Sequence, residues 1–229
     1  QVGLKFDPKS GEVTLPDGFD ELYKLYCEQG YPMLTHPVEH GGAGAPHVGS
    51  VIFNELFVGT NKSFSMCVGL SHGLIESLIH HGDADLQEKF VPKLVSGEWT
   101  GTMCLTEPKC GTDLGLLTTK AIPQDDGSYK LTGTKIWITF GEHNLTDNII
   151  HLVLARLPDA PEGIKGISVF VVPKINLDGS RNGITCGGLE HKMGIHASPT
   201  CVMNMEDATG YMIGEPHKGM RAMFTMMNA

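Results

Sequence analysis

The 229-residue chain is 41% hydrophobic with a formal net charge of −9, so it can bury a core and is not a disordered segment. An acidic balance lacks the basic stripe that a phosphate backbone requires, which argues against a nucleic-acid partner. No stretch has the length of a membrane span, the N-terminus has no charged-then-apolar signal pattern, and the six cysteines form no C-x-x-C pair. These features lead us to expect no membrane partner and a reducing, cytoplasmic setting.

Residues 1–16 carry Asp7-Pro8 and Leu15-Pro16 and read as an extended lead-in with turns. Asp17 is placed to cap a helix from Phe19 to Gln29, whose apolar positions recur at helical spacing and which Gly30 stops. Tyr31 to His47, dense in proline and glycine, reads as a loop. A helix from Val48 to Val58 is expected to break at Gly59-Thr-Asn61. A second, from Lys62 to His81, is apolar on more than one side and so belongs at the centre of a bundle. Asp83 and Asp85 suit the start of a further helix with Leu86, Phe90 and Leu94 on its face, which Pro92 should end or kink.

After Trp99 the texture changes to short β-prone runs: Met103 to Leu105, Leu116 to Ile122, Tyr129 to Leu131, Lys135 to Thr139, Ile149 to Arg156, Gly166 to Val172, Gly183 to Leu189 and Thr200 to Met205. Asp125-Asp-Gly-Ser128 reads as a hairpin turn. Strands at this spacing imply an antiparallel β-sandwich or barrel. A last helix is expected to present Met220, Met223, Phe224 and Met227 on one side. The chain starts without methionine and stops inside that helical pattern, which reads as part of a longer protein. The expected fold class is therefore α+β: a helical bundle portion over 1–98, a β-domain over 99–213, and the start of a further helical domain over 214–229.

Chemistry concentrates in two stretches. Thr102 to Leu105 opens into a bend made by Glu107-Pro108 and Gly111, with hydroxyls at Thr106 and Thr112; downstream, Trp137 and Thr139 lie in a β-prone run. An aromatic wall beside a loop of amides and hydroxyls fits the edge of a flavin, whose reduced form is stabilised there by hydrogen-bond donors. An ordinary turn followed by a core tryptophan fits the same residues.

Met103-Cys-Leu-Thr-Glu-Pro-Lys-Cys-Gly-Thr-Asp113, Thr118-Thr-Lys-Ala121, Leu131-Thr-Gly-Thr-Lys-Ile-Trp-Ile-Thr139, Lys192-Met-Gly194 and Ser198-Pro-Thr200 together resemble the signatures of the flavin-dependent acyl-CoA dehydrogenases over nearly the whole chain. Val38-Glu-His-Gly-Gly42 and Trp137-Ile-Thr-Phe-Gly-Glu-His-Asn144 resemble the larger members, such as those acting on 3-methylmercaptopropionyl-CoA. The resemblance implies FAD as cofactor, an acyl-CoA thioester as substrate, electron-transferring flavoprotein as electron acceptor and a homo-oligomer in the intact protein. It assigns Met103, Leu105, Thr106, Gly111, Thr112, Trp137, Ile138 and Thr139 to the flavin, Thr112 also to the pantetheine arm, and Met66, Leu70 and Gly73 to the acyl tail. In the family the α-proton is removed by a glutamate of the C-terminal helical domain, so no catalytic residue is expected here: Glu107 belongs to the flavin bend, Glu55 to a solvated helix face and Glu142 to a loop cap. Acyl-CoA oxidases, nitroalkane oxidases and DNA-damage-response flavoproteins share the fold and remain alternatives. Neither His36 with His40 nor His80 with His81 offers a shared face, so spacing predicts no metal site.

Overall fold

The computed structural model describes residues 3–229. The lead-in forms a small hairpin, β1 (Lys5–Phe6) with β2 (Val13–Thr14). Helix α1 (Phe19–Glu28) is entered through Gly18 in the left-handed region, φ 88°, which leaves Asp17 one residue outside the capping position expected of it. The following loop holds two short 3₁₀ turns.

Helix α2 (His47–His81) spans both predicted helices and changes direction at Asn61, φ −149° and ψ 82°. The Asn61 side chain accepts the Phe64 amide at 3.1 Å and so restarts the helix. Helix α3 (Ala84–Val95) starts at Asp83, whose carboxylate accepts the Leu86 amide, and runs three residues past Pro92. Proline removes one donor there, but its own carbonyl still accepts the Ser96 amide at 3.0 Å, which closes the last turn.

The rest is a seven-stranded sheet of β3 (Trp99–Cys104), β4 (Lys120–Pro123), β5 (Tyr129–Thr139), β6 (Asn148–Arg156), β7 (Ile167–Pro173), β8 (Ile184–Leu189) and β9 (Thr200–Ile213). Its order is β3-β6-β4-β5-β9-β7, with β7 returning to β6 to close the barrel and β8 pairing β9. Most pairings are antiparallel as expected; β3 lies parallel to β6 from Trp99↔Asn148 to Cys104↔Val153, and β4 meets β6 in parallel at Lys120↔Arg156. Two predicted runs join into β5 because its irregularities at Gly133 and after Lys135 bend the strand without breaking it. Strand β9 continues beyond Met205 and pairs first with β5 and then with β7.

Strand β6 is buried on both faces. Ile150, Leu152 and Leu154 pack with Leu74, Leu78, Phe90 and Leu94 of the helices, while Val153 and Ala155 point into the barrel with Leu131, Phe170, Cys201 and Met203. Helix α4 (Gly219–Asn228) buries Ala222, Met223 and Met226 and leaves Phe224 and Met227 about half exposed. The inward face therefore differs from the expected row, because α4 approaches α2 at Gly73, where a β-carbon would stand 2.6 Å from the Met226 carbonyl oxygen. None of the six cysteines is in a disulfide. Among the described residues no helix is long and apolar enough to cross a membrane.

Candidate active site

Strand β3 ends at Cys104, and the chain turns back on itself where Glu107 and Cys110 exchange backbone hydrogen bonds of 2.8 and 3.1 Å around Pro108-Lys109. The Glu107 carboxylate points inward, 3% exposed. It accepts the amides and hydroxyls of Thr118 and Thr119 and the Lys135 ammonium, whose Nζ lies 2.9 Å from Oε1. Lys135 is fully buried and also donates to the Leu105 carbonyl at 3.1 Å. One side chain of β5 thus holds the end of β3 and the bend in place. Burial opposes the Glu107 charge, but Lys135 and the threonine donors outweigh it and bring the carboxyl down to about 2. Burial likewise lowers the Lys135 ammonium, with Glu107 acting against that shift.

The same lysine forces the irregularity beside it. In a regular strand residues 135 and 137 would point to one face. Here Trp137 takes a left-handed backbone, φ 63°, inside the register shift between Lys135 and Ile138. Lys135 and Ile138 turn inward at 0% and 2% exposure, and the Trp137 indole turns out at 54%. A bulge that re-aims one large side chain is a common device at functional sites. The Ile136 amide donates to the Thr106 carbonyl at 2.9 Å, which sets the indole strand directly against the bend.

Around that seam the structure brings together most of the residues singled out in the sequence. A β-carbon on Gly111 would lie 3.5 Å from Thr106 Cγ2, so the two adjoin. Thr112 next to them is exposed, and Thr139 is half-buried one residue beyond Ile138. The hydroxyls of Thr106, Thr112 and Thr139 make no hydrogen bond within the described residues, so the bend and the indole strand set against it carry polar atoms open to an outside partner. Met103 and Leu105 are partly buried against the cluster that Leu70 of α2 also joins.

Three of the assigned residues sit differently. The Ile138 side chain belongs to the barrel core, since the bulge hands the outward direction to Trp137, and only its backbone can reach a ligand. Gly73 faces α4 and permits the close helix contact described above. Met66 packs with Phe19, Tyr23 and Phe64, in a cluster separate from the one that takes in Leu70 and Met103. Glu142, read as a loop cap, is 1% exposed and paired with Lys174 and Arg181. Lys135, Thr118 and Thr119 were not singled out as functional; the signal available was a lone lysine inside an apolar β-run and a glutamate in a small-residue bend, each of which must find a partner if buried.

The acyl-CoA dehydrogenase N-terminal domain matches residues 5–98 and the acyl-CoA dehydrogenase middle domain residues 102–208. A 3-methylmercaptopropionyl-CoA dehydrogenase of Ruegeria pomeroyi is 46% identical over 96% of this chain, and a butyryl-CoA dehydrogenase of Syntrophomonas wolfei is 41% identical over 94%. The chain spans 38% of the length of each. The crystal structure of an acyl-CoA dehydrogenase from Bacillus anthracis complexed with FAD superposes with a TM-score of 0.78 at 29% identity, covering 92% of this chain and 34% of that one. Two matched domains, a barrel closed around the expected motifs and relatives along its whole length establish that this chain belongs to the acyl-CoA dehydrogenase family.

Proposed function

We propose that the seam between the Thr106 bend and Trp137 is one side of a flavin slot, and that the protein carrying this chain is an FAD-dependent acyl-CoA dehydrogenase. It would form a trans-2-enoyl-CoA from an acyl-CoA thioester and pass the electrons to electron-transferring flavoprotein. The observation that carries the reading is the bulge at Lys135–Ile138, which exposes an indole beside threonine hydroxyls with no other partner. These residues fit the cofactor: backbone and hydroxyls of Thr106, Gly111, Thr112 and Thr139 supply donors, and Trp137 supplies a flat wall. Thr106, Gly111, Thr112, Trp137 and Thr139 would hold the FAD, which would supply a hydride acceptor at this seam. The threonine hydroxyls and bend amides would donate to it, Trp137 would limit access of water, and Thr112 would help orient the thioester.

Neither buried carboxylate near the barrel can serve as the base. The Glu107 carboxylate is engaged by Lys135 and the threonine donors, and that of Glu142 by Lys174 and Arg181, so neither is free to meet a substrate proton. Glu55 is exposed on α2. We therefore assign the base to a segment outside these residues, with 1–98 as helical domain, 99–213 as flavin and acyl-CoA domain and 214–229 as the start of a third, and expect the isolated chain not to turn over. The 46% and 41% relatives make a short acyl group, methylthio-substituted or straight, the preferred candidate substrate. A single methylene changes binding by only about 1–3 kcal/mol, so a panel is required to choose. The test is purification of the full-length protein, flavin quantification by absorbance, and turnover with butyryl-CoA and 3-methylmercaptopropionyl-CoA, using the electron-transferring flavoprotein and oxygen as competing acceptors. One FAD per subunit and enoyl product with the flavoprotein supports the reading. Failure to bind FAD refutes it, and rapid reoxidation by air would make the protein an oxidase.

A further inference from the structure

Away from the flavin seam, three side chains that are far apart in sequence meet between the α1–α2 loop and α2. His72 and Glu76 lie one turn apart on α2, with His80 a further turn on. His36 is brought against this row by a tightly built loop: Gly44 donates to the His36 carbonyl at 3.0 Å, Ala43 to Met33 at 2.8 Å and Ala45 to Leu34 at 2.9 Å. Gly42 packs so closely that a β-carbon would stand 1.9 Å from the His36 carbonyl oxygen. His36 is 1% exposed.

The three side chains approach one another closely enough to share a ligand. His36 Nε2 lies 3.2 Å from His72 Nδ1, and His36 Nδ1 lies 3.4 Å from Glu76 Oε1. The His36–His72 nitrogen contact is close to the separation of about 3.3 Å between tetrahedral ligands at zinc distances, while the other ring nitrogen of His36 faces Glu76. One donor atom from each of the three residues falls within 4.8 Å of the others. The His36 Nδ1 atom is buried without a hydrogen-bond partner, which is costly for a group that could donate or accept. Glu76 has ion-pair contacts only with His36 and His80 among the described residues, so no lysine or arginine neutralises it. His36, His47 and His72 also line a cleft with Tyr26, Tyr31 and Phe53.

We infer that His36, His72 and Glu76 form a binding site for a divalent transition-metal cation of the zinc class. Two imidazoles and a carboxylate suit such a borderline cation, their net charge of −1 partly balances it, and the cleft that His36 and His72 line gives the cluster access to solvent. The sequence reading missed the site because it paired each histidine with its nearest neighbour in sequence; the true partner of His36 lies across the loop, on α2.

The test uses the full-length protein, stripped with a chelator and dialysed against zinc or cobalt(II). We expect one zinc per chain by mass spectrometry and visible cobalt bands of a nitrogen- and oxygen-ligated ion. Both should be lost in His72→Ala, and zinc affinity should fall by at least about tenfold in the near-isosteric Glu76→Gln. Circular dichroism confirms folding of each variant; should His72→Ala not fold, Glu76→Gln and the wild-type cobalt spectrum decide. The inference is overturned if the wild type retains no zinc, or if both variants bind it as the wild type does, which would place the ion on other histidines or mark the three residues as a metal-free hydrogen-bonded cluster.

Discussion

Removing the Lys135 ammonium while keeping its stem, in Lys135→Met, leaves Glu107 facing its threonine donors with no counter-charge. Both partners are essentially buried, at 0% and 3% exposure, so the cost is that of an unpaired interior charge, about 3–5 kcal/mol, rather than the ~0–1 kcal/mol of a surface pair. The acid side of the stability curve gives an independent magnitude. Lys135 and the threonine donors hold the Glu107 carboxyl at about 2 instead of the ordinary 4.5, which corresponds to about 3 kcal/mol. Because its native pKa is depressed, that contribution is complete above about pH 4.5 and is lost as pH falls toward 2. Urea unfolding of the full-length protein followed by circular dichroism, run from pH 7 to pH 3 on wild type, Lys135→Met, Glu107→Gln and the double variant, reads both effects. We expect each single variant to lose several kcal/mol at pH 7 and the double variant to recover part of it. Wild type should lose stability between pH 4.5 and 3, and the Glu107→Gln series should lack that component. A loss under about 1 kcal/mol in Lys135→Met would show that the pair does not hold the bend and would refute the argument.

Other outcomes follow from the same geometry. Trp137→Ala should weaken FAD binding by about 1–3 kcal/mol, the scale of aromatic stacking, while leaving apo stability within about 0.5 kcal/mol because the indole is exposed; flavin titration and thermal melts separate the two. Gly73→Ala places a methyl against the Met226 backbone and should destabilise by about 1–3 kcal/mol in denaturant, with its effect on stability rather than on acyl-chain selectivity. A thiol reagent should modify Cys27 first, since it alone of the six cysteines is not fully buried, and mass spectrometry under native conditions should find the other five protected.

The fold was legible where hydrophobic period and local chemistry agree. The central helix, the capping Asp83 and the apolar runs that became β6 and β7 carry patterns that only one structure satisfies. It was less legible where tertiary contact outweighs local preference. Pro92 reads as a helix end, yet α3 continues to Val95, because Phe90, Val91, Leu94 and Val95 are all buried in the main core and that packing outweighs one missing donor. The face of α4 could not be read from its own methionines, since Gly73, some 150 residues earlier, decides which of them meets α2. The parallel pairing of β3 with β6 is equally invisible to a local pattern.

Sequence located the bend and the tryptophan strand but took 137, 138 and 139 as one wall, since a run of β-formers gives no sign of a bulge. What breaks the run is the demand of Lys135 for Glu107 and the Leu105 carbonyl, both on the far side of the barrel wall from solvent. With Lys135 turned inward, a regular pleat would bury Trp137 beside it; one left-handed residue separates the two directions. The strain of that residue, of order 1–3 kcal/mol, is offset by an ion pair whose loss costs more. The buried charge and the exposed indole are therefore a single device: a variant that keeps residue 135 buried but removes its ion pair, such as the Glu107→Gln/Lys135→Met pair, should let the bulge relax into a regular pleat. Its indole should then turn inward, shifting Trp137 fluorescence to the blue, and FAD affinity should fall even though no flavin contact was mutated. Unchanged fluorescence and flavin affinity in that double variant would show that the bulge is set by β9 across the strand instead.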